Sequence, residues 1–190
     1  MSRALREEAS GVLGNLPDGF GFVDSLGGGY DVTHVSLARV AAAIRDRDVD
    51  VVSFSSGTAS GSYRAGSDVM RIRTTLQGVR RKSVIVHEAV HCLHDIRELT
   101  IARPYNEVAT NIAENMYRRL VLSRGGRTVA PPPGAIDRAA DAVALRLLGI
   151  DRVRRRVVRL GESDVNHLVA VLYDSSYGAK AGTTFVGDGV

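Results

Sequence analysis

Hydrophobic positions recur along this chain at a spacing of three to four residues, the period of one face of an α-helix. The spacing predicts helices over residues 3–12, 36–47, 83–96, 104–123, 135–148 and 163–173, with a further helical candidate over 152–160. Pro104 suits the first turn of one helix, and Gly149 is expected to end another. The stretch over 83–96 is apolar on most of its sides, so we expect that helix to be buried.

Short runs rich in β-branched or aromatic residues predict strands over residues 19–23, 49–54 and 67–75. The third run contains Val69, Met70 and Ile72, and we expect it to lie at the edge of a sheet. Residues 55–66 contain three glycines and four serines, a composition that predicts a loop.

The order of these elements predicts an α+β fold, because strands occur only in the first half of the chain. We expect one domain over residues 1–190, with a small mixed sheet followed by a mainly helical half. Its predicted parts are a sheet-bearing part (1–80), two central helices (81–123), a linker loop (124–134), a helical part (135–177) and a loose tail (178–190).

The composition narrows the class of protein. With 190 residues, 44% of them hydrophobic and 24% charged, the chain is typical of a globular domain. It has no apolar run of roughly 18 residues and no Sec-type leader, so we expect no membrane insertion and a cytoplasmic protein, or one exported by a specialised non-Sec system. A single cysteine, Cys92, excludes an internal disulfide framework and a multi-cysteine zinc site. The net charge of +4 permits acidic partners without requiring them.

The motif that carries chemistry is His-Glu-Ala-Val-His at residues 87–91, an H-E-x-x-H pattern inside the buried helix. Side chains four residues apart lie on one helix face, about 5–6 Å apart at Cβ, so His87 and His91 can bind one ion. Imidazole nitrogen is a preferred zinc ligand. Glu88 lies where its carboxylate can take a proton from an activated water. The alternative is a pair of structural histidines beside a surface glutamate.

A catalytic zinc site normally has a third protein ligand. His94 shares the face of His91, but three ligands from one helix aim poorly at one point. The next helix offers Glu107, and Asn111 one turn later could orient a ligand histidine. Glu114 is the rival carboxylate, and an ordinary solvated acidic face is the alternative to both.

H-E-x-x-H followed by N-E-x-x-T-N at residues 106–111 resembles the gluzincin branch of the zincin zinc metallopeptidases. There, the following helix supplies a glutamate ligand from an N-E-x-x-S-D-like motif. The resemblance implies a zincin-like fold, one Zn²⁺ per chain on His87, His91 and Glu107, and Glu88 as general base. At the aspartate of the family motif this chain has Asn111.

The helix continues with Glu-Asn-Met-Tyr-Arg-Arg at residues 114–119, which is similar to the compact metallopeptidase domains of secreted bacterial effectors and polymorphic toxins. This likeness implies a bacterial effector or toxin with a cognate inhibitor or immunity protein. The likeness to zincins also implies that the strand at residues 69–72 aligns the substrate. Both resemblances concern residues 50–123 only.

Other residues have weaker claims. Zincins steady the oxyanion of the reaction with a tyrosine, histidine or arginine, and the candidates here are His167 and Tyr177, with Tyr117 and Tyr173 behind them. For His167, a partly buried structural histidine is the competing interpretation. The arginine-rich run over residues 152–159 lacks interleaved aromatic residues, so we read it as a solvated helix face and do not expect a nucleic-acid partner.

The sequence therefore predicts a zinc-dependent endopeptidase acting on a protein or peptide substrate. Two alternatives keep the same residues. One is a regulatory protease that cuts a single repressor-like partner. The other is a catalytically inactive metal-binding module that contacts protein or nucleic acid, with the arginine-rich run as its contact surface.

Overall fold

A computed structural model describes residues 3–24, 31–126, 129–154, 158–174, 184–186 and 189. The chain folds into six helices and eight short strands within these residues, which confirms the α+β class. In chain order they are α1 (Arg3–Gly14), β1 (Gly21–Asp24), β2 (Asp31–Thr33), α2 (His34–Asp46), β3 (Asp50–Phe54), β4 (Gly61–Arg64), β5 (Val69–Arg73), α3 (Gly78–Ile96), β6 (Thr100–Ala102), α4 (Arg103–Arg124), α5 (Ala135–Arg154), β7 (Val158–Leu160), α6 (Glu162–Tyr173) and β8 (Thr184–Val186).

The chain divides into two compact units. The first comprises Met1–Leu16, His34–Thr100 and Val186–Val190, and the second comprises Pro17–Thr33 and Ile101–Phe185. The first unit contains a three-stranded sheet and the helices α1, α2 and α3. The second contains another three-stranded sheet and the helices α4, α5 and α6.

The sheet of the first unit has the order β3-β5-β4. Strand β5 pairs with β3 in parallel and with β4 in antiparallel orientation. Its side chains alternate as the period of a strand requires, and Met70 and Ile72 are buried. The prediction that the strand at residues 69–72 lies at the sheet edge is therefore wrong. Both of its edges are hydrogen-bonded, and β4 occupies the edge position.

Strand β4 lies within the stretch that the sequence predicted to be a loop. Of its four residues, Gly-Ser-Tyr-Arg, only Tyr63 is of a type enriched in strands, so the local pattern gives a weak strand signal. A 3-10 turn at residues 65–67 follows, and Asp68 then adopts a left-handed conformation with φ of 49°. That turn folds β4 back onto β5, and pairing with β5 makes the segment a strand.

Four further features differ from the predictions. Helix α3 begins at Gly78, five residues before the predicted start. Helix α5 continues through Gly149 to Arg154 instead of ending at the glycine. The predicted helix over 152–160 is instead the end of α5 and strand β7, because Val158–Leu160 pairs in parallel with β1. The predicted loose tail over 178–190 contains strand β8, which pairs with β6.

The remaining helices agree with the periodicity. Helices α1, α2, α4 and α6 cover the predicted stretches within one to two residues at most ends.

In the second unit, the sheet order is β2-β1-β7, with Phe22 and Val32 fully buried. None of the helices formed by the described residues is long and apolar enough to cross a lipid bilayer.

Candidate metal centre

Helix α3 carries the H-E-x-x-H motif in its central turns. Its apolar residues point in most directions, and the helix is buried along most of its length, as expected. Burial fixes the rotation of the helix, since apolar side chains on several faces must all be removed from water. His87 and His91 lie on a half-buried strip, with their ring centroids 5.2 Å apart and the rings edge to face.

Glu88 lies on another side of α3 and is only 5% exposed. A buried carboxylate is rare in a protein unless it has partners, because removing a charge from water costs free energy. Its neighbours in the first unit include Gly61 of β4. The general base of the sequence prediction is thus an interior group of the protein and not a surface glutamate.

Helix α4 begins at Arg103, with Pro104 in its first turn as the sequence predicted. Glu107 is 7% exposed, and its backbone carbonyl accepts hydrogen bonds from Thr110 Oγ1 (2.9 Å) and Asn111 Nδ2 (2.7 Å). Arg103 Nε lies 3.9 Å from the Glu107 carboxylate. The side chain of this glutamate is therefore buried on a helix turn whose polar neighbours bond to the backbone.

His87, His91 and Glu107 form a group with metal-binding geometry. One ligand atom from each residue lies within 4.8 Å of those of the other two. Two imidazoles and one carboxylate are the donors found in one class of catalytic zinc site, and three protein ligands leave room for water or substrate. The donor set therefore fits a divalent metal ion, and zinc is the ion that we propose below.

The other predicted site residues have different surroundings. Glu114 is half-buried on α4 and does not belong to the three-residue group. Asn111 donates to the Glu107 carbonyl, a backbone contact within its own helix, and its proposed role in orienting a histidine stays a prediction. His94 is buried and is also outside the group.

The oxyanion candidates differ in their exposure to solvent. His167 is exposed on α6. Its alternative interpretation as a partly buried histidine does not agree with that exposure, and its catalytic role stays a prediction. Tyr117 is buried in α4, and Tyr173 is exposed at the end of α6. Tyr177 lies outside the described residues.

Sequence reasoning missed a polar cluster beside the motif. Tyr63 of β4 donates a hydrogen bond to Asp95 Oδ2 (2.6 Å) and lies 3.3 Å from Asp68 Oδ1. Burial is the main cause that raises the pKa of the Tyr63 hydroxyl far above its ordinary value. Burial also raises the pKa of the neighbouring Cys92 thiol to about 12. No local signal could have found this cluster, because Tyr63 lies in the serine- and glycine-rich stretch predicted as a loop.

Comparisons with protein-family models, with curated proteins and with solved structures found no match to this chain. The assignment of a function therefore depends on the residues of the site and on their geometry.

Proposed function

We propose that this protein is a zinc-dependent peptidase that hydrolyses peptide bonds of a protein substrate. The observation that carries the proposal is the grouping of His87, His91 and Glu107, with the buried Glu88 on the same helix as the two histidines. A metal site that only stabilises a fold needs no carboxylate next to its ligands. A hydrolytic site does, because the attacking water must lose a proton.

When bound, a zinc ion would acidify water and polarise the carbonyl group of the substrate. His87 and His91 would hold the ion through ring nitrogens, and Glu107 would hold it through a carboxylate oxygen. Glu88 accepts a proton from the attacking water, whose oxygen bonds to the carbonyl carbon of the peptide. The C–N bond then breaks, and Glu88 returns the proton to the leaving nitrogen, which becomes an amine.

The edge of β4 that does not face β5 is the place that we propose for the substrate. Within the described sheet, β4 has one neighbouring strand, and β4 contacts α3. An extended peptide can add to such an edge through backbone hydrogen bonds, with affinity from the main chain and selectivity from alternate side chains. This assignment replaces the strand at residues 69–72, which is interior to the sheet.

The test is to measure zinc and turnover in the same preparation. We expect about one zinc per chain by elemental mass spectrometry, and cleavage of members of an unbiased peptide library. Glu88→Gln should keep the zinc and lose about 10²–10⁴-fold in turnover, the usual contribution of a general base. Glu162→Gln, at an exposed position of α6, is the matched control. If Glu88→Gln cleaves peptides as fast as the wild type, Glu88 is not the general base and the proposed function is overturned.

The biological setting remains a proposal that rests on the resemblance. In that setting the protein is a bacterial effector or toxin with a cognate inhibitor or immunity protein. It acts in the cytoplasm or is exported by a specialised non-Sec system. Of the arginine-rich run over 152–159, residues 155–157 lie outside the described part of the chain. No specific observation favours the regulatory protease or the inactive module over the peptidase.

A further inference from the structure

Strand β4 and helix α3 meet along one face of each. Residues 61 and 63 share a face of β4, because successive side chains of a strand alternate. Tyr63 on that face donates to Asp95 of α3. Gly61 on the same face lies against Val84 and Glu88, one turn apart on α3. The strand therefore touches the helix at the general base and again two turns later.

The contact at Gly61 leaves no room for a side chain. A methyl group there would lie 2.6 Å from Oε1 of Glu88, 2.9 Å from Cγ of the same residue and 2.8 Å from Cγ1 of Val84. Rotating the carboxylate alone would not relieve this overlap, because Cγ of Glu88 is also too close. Val84 cannot turn aside easily either, since a β-branched residue in a helix has one strongly preferred rotamer.

The backbone of Gly61 does not need glycine for its conformation. Its φ lies outside the left-handed region, so any residue could adopt this backbone geometry. Glycine is required here by space alone, and the space that it leaves is filled by the Glu88 side chain.

We propose that Gly61 is a positioning residue for the general base: the missing side chain at residue 61 lets Glu88 adopt the orientation that the reaction needs. The inference rests on the proposed peptidase function and adds a determinant of catalysis outside the H-E-x-x-H motif. Gly61 acts through Glu88 and has no chemical role of its own.

Two further contacts keep β4 from moving away to relieve such a clash. Gly61 is in register with Ile72 of β5, and Tyr63 is in register with Met70. Ile72 and Met70 are buried, so shifting β4 would disturb the core of the sheet. Tyr63 also ties the strand to Asp95 through a 2.6 Å hydrogen bond. A side chain at residue 61 must therefore displace Glu88.

The experiment compares Gly61→Ala with Gly11→Ala in the full chain. Gly11 has nothing within 4 Å of an added methyl group, so it is the matched control. We expect Gly61→Ala to lower kcat about 100-fold, the usual cost of misplacing a catalytic group by about 1 Å. KM should change less than about threefold, and the zinc content should stay at the wild-type value. Loss of zinc or an increase in KM together with the loss of kcat would indicate a general structural defect and overturn the proposal.

A second variant separates positioning from simple overpacking. Val84→Ala removes the two methyl groups of Val84 and with them the close approach of 2.8 Å to residue 61. The overlaps of the added methyl group with Oε1 and Cγ of Glu88 would remain, so Gly61→Ala combined with Val84→Ala should stay within about threefold of the kcat of Gly61→Ala alone. Recovery of at least about tenfold would assign the loss to overpacking against Val84 and overturn the proposal.

Thermal unfolding gives a readout that does not depend on activity. Gly61→Ala should lower Tm by about 5 °C in the wild-type background, and by less than about 2 °C when combined with Glu88→Ala. Equal Tm losses in the two backgrounds, or wild-type kcat in Gly61→Ala, would overturn the positioning role. A wild-type chain that cleaves no peptide would instead overturn the proposed function, whatever the Tm values show.

Discussion

Helices α3 and α4, which carry the candidate ligands, hold their polar side chains in different ways. On α4, Thr110 and Asn111 both donate to the backbone carbonyl of Glu107, and Asn115 donates to that of Asn111. Every one of these partners lies three or four residues back along the same helix. These three side chains thus have hydrogen-bond partners in the helix that contains them.

On α3, two acidic side chains contact a distant part of the chain. Asp95 accepts a hydrogen bond from Tyr63, 32 residues earlier, and Glu88 packs on Gly61. A short edge strand that the sequence analysis did not predict therefore supports the helix that carries the H-E-x-x-H motif. The two helices differ in that Thr110, Asn111 and Asn115 of α4 have partners in their own helix, whereas Glu88 and Asp95 of α3 contact a strand far away in the sequence.

The largest effect is expected from removing Glu107, the candidate ligand on α4. Glu107→Ala should weaken zinc binding by at least about 100-fold, because a lost ligand costs more than a lost neighbour of a ligand. Glu114→Ala, seven residues later on the same helix, is the matched control and should bind zinc like the wild type. Titration with a competing chelator measures both affinities. The reverse ranking would assign the third ligand to Glu114.

The next effect tests the tertiary support of α3. Tyr63→Phe should lower the free energy of unfolding by about 1.5–3 kcal/mol, the range for a hydrogen bond to a charged group. Tyr105→Phe, at a partly exposed position of α4, removes a hydroxyl without that contact and should change stability by less than about 0.5 kcal/mol. Urea unfolding measures both. Equal losses would contradict the anchoring of β4 to Asp95.

A smaller effect is expected from pH. The unfolded chain ionises Cys92 near its ordinary pKa of 9.0, whereas the folded chain keeps the thiol protonated up to about 12. The contribution of this thiol to the free energy of unfolding is therefore fully present below pH 9 and is lost as the pH rises toward 12. By pH 10 the loss should reach about 1.4 kcal/mol. Cys92→Ala should show a shallower decline between pH 8 and 10, and an identical decline would exclude this origin.

The smallest effect tests the local support on α4. Asn111→Ala should change the free energy of unfolding by about 1 kcal/mol or less, because alanine favours a helix and the Glu107 carbonyl keeps its helical environment. Zinc affinity should stay at the wild-type value. If affinity falls about tenfold or more, Asn111 orients a ligand as the sequence suggested, and α4 then resembles α3 in depending on side-chain contacts.

The sequence could predict most helices and the core of the site. The H-E-x-x-H motif, the start of α4 at Pro104 and the two candidate carboxylates Glu107 and Glu114 all depend on helical periodicity and on residue type, and the structure groups Glu107 with the histidines. The sequence could not predict β4, because Gly61–Arg64 contains only one residue of a strand-favouring type and becomes a strand by pairing with β5. Because β4 was not predicted, the sequence analysis placed the strand at residues 69–72 at the edge of the sheet.

The sequence by itself thus determined that His87 and His91 lie on one face of a helix, since residues four apart on a helix must share a face. Only the tertiary structure decided that Glu107, and not its rival Glu114, joins these two histidines, which strand lies beside α3 and which residue faces Glu88. Strand order and close packing join residues far apart in the chain, and no local pattern encodes the space that Gly61 leaves for that side chain.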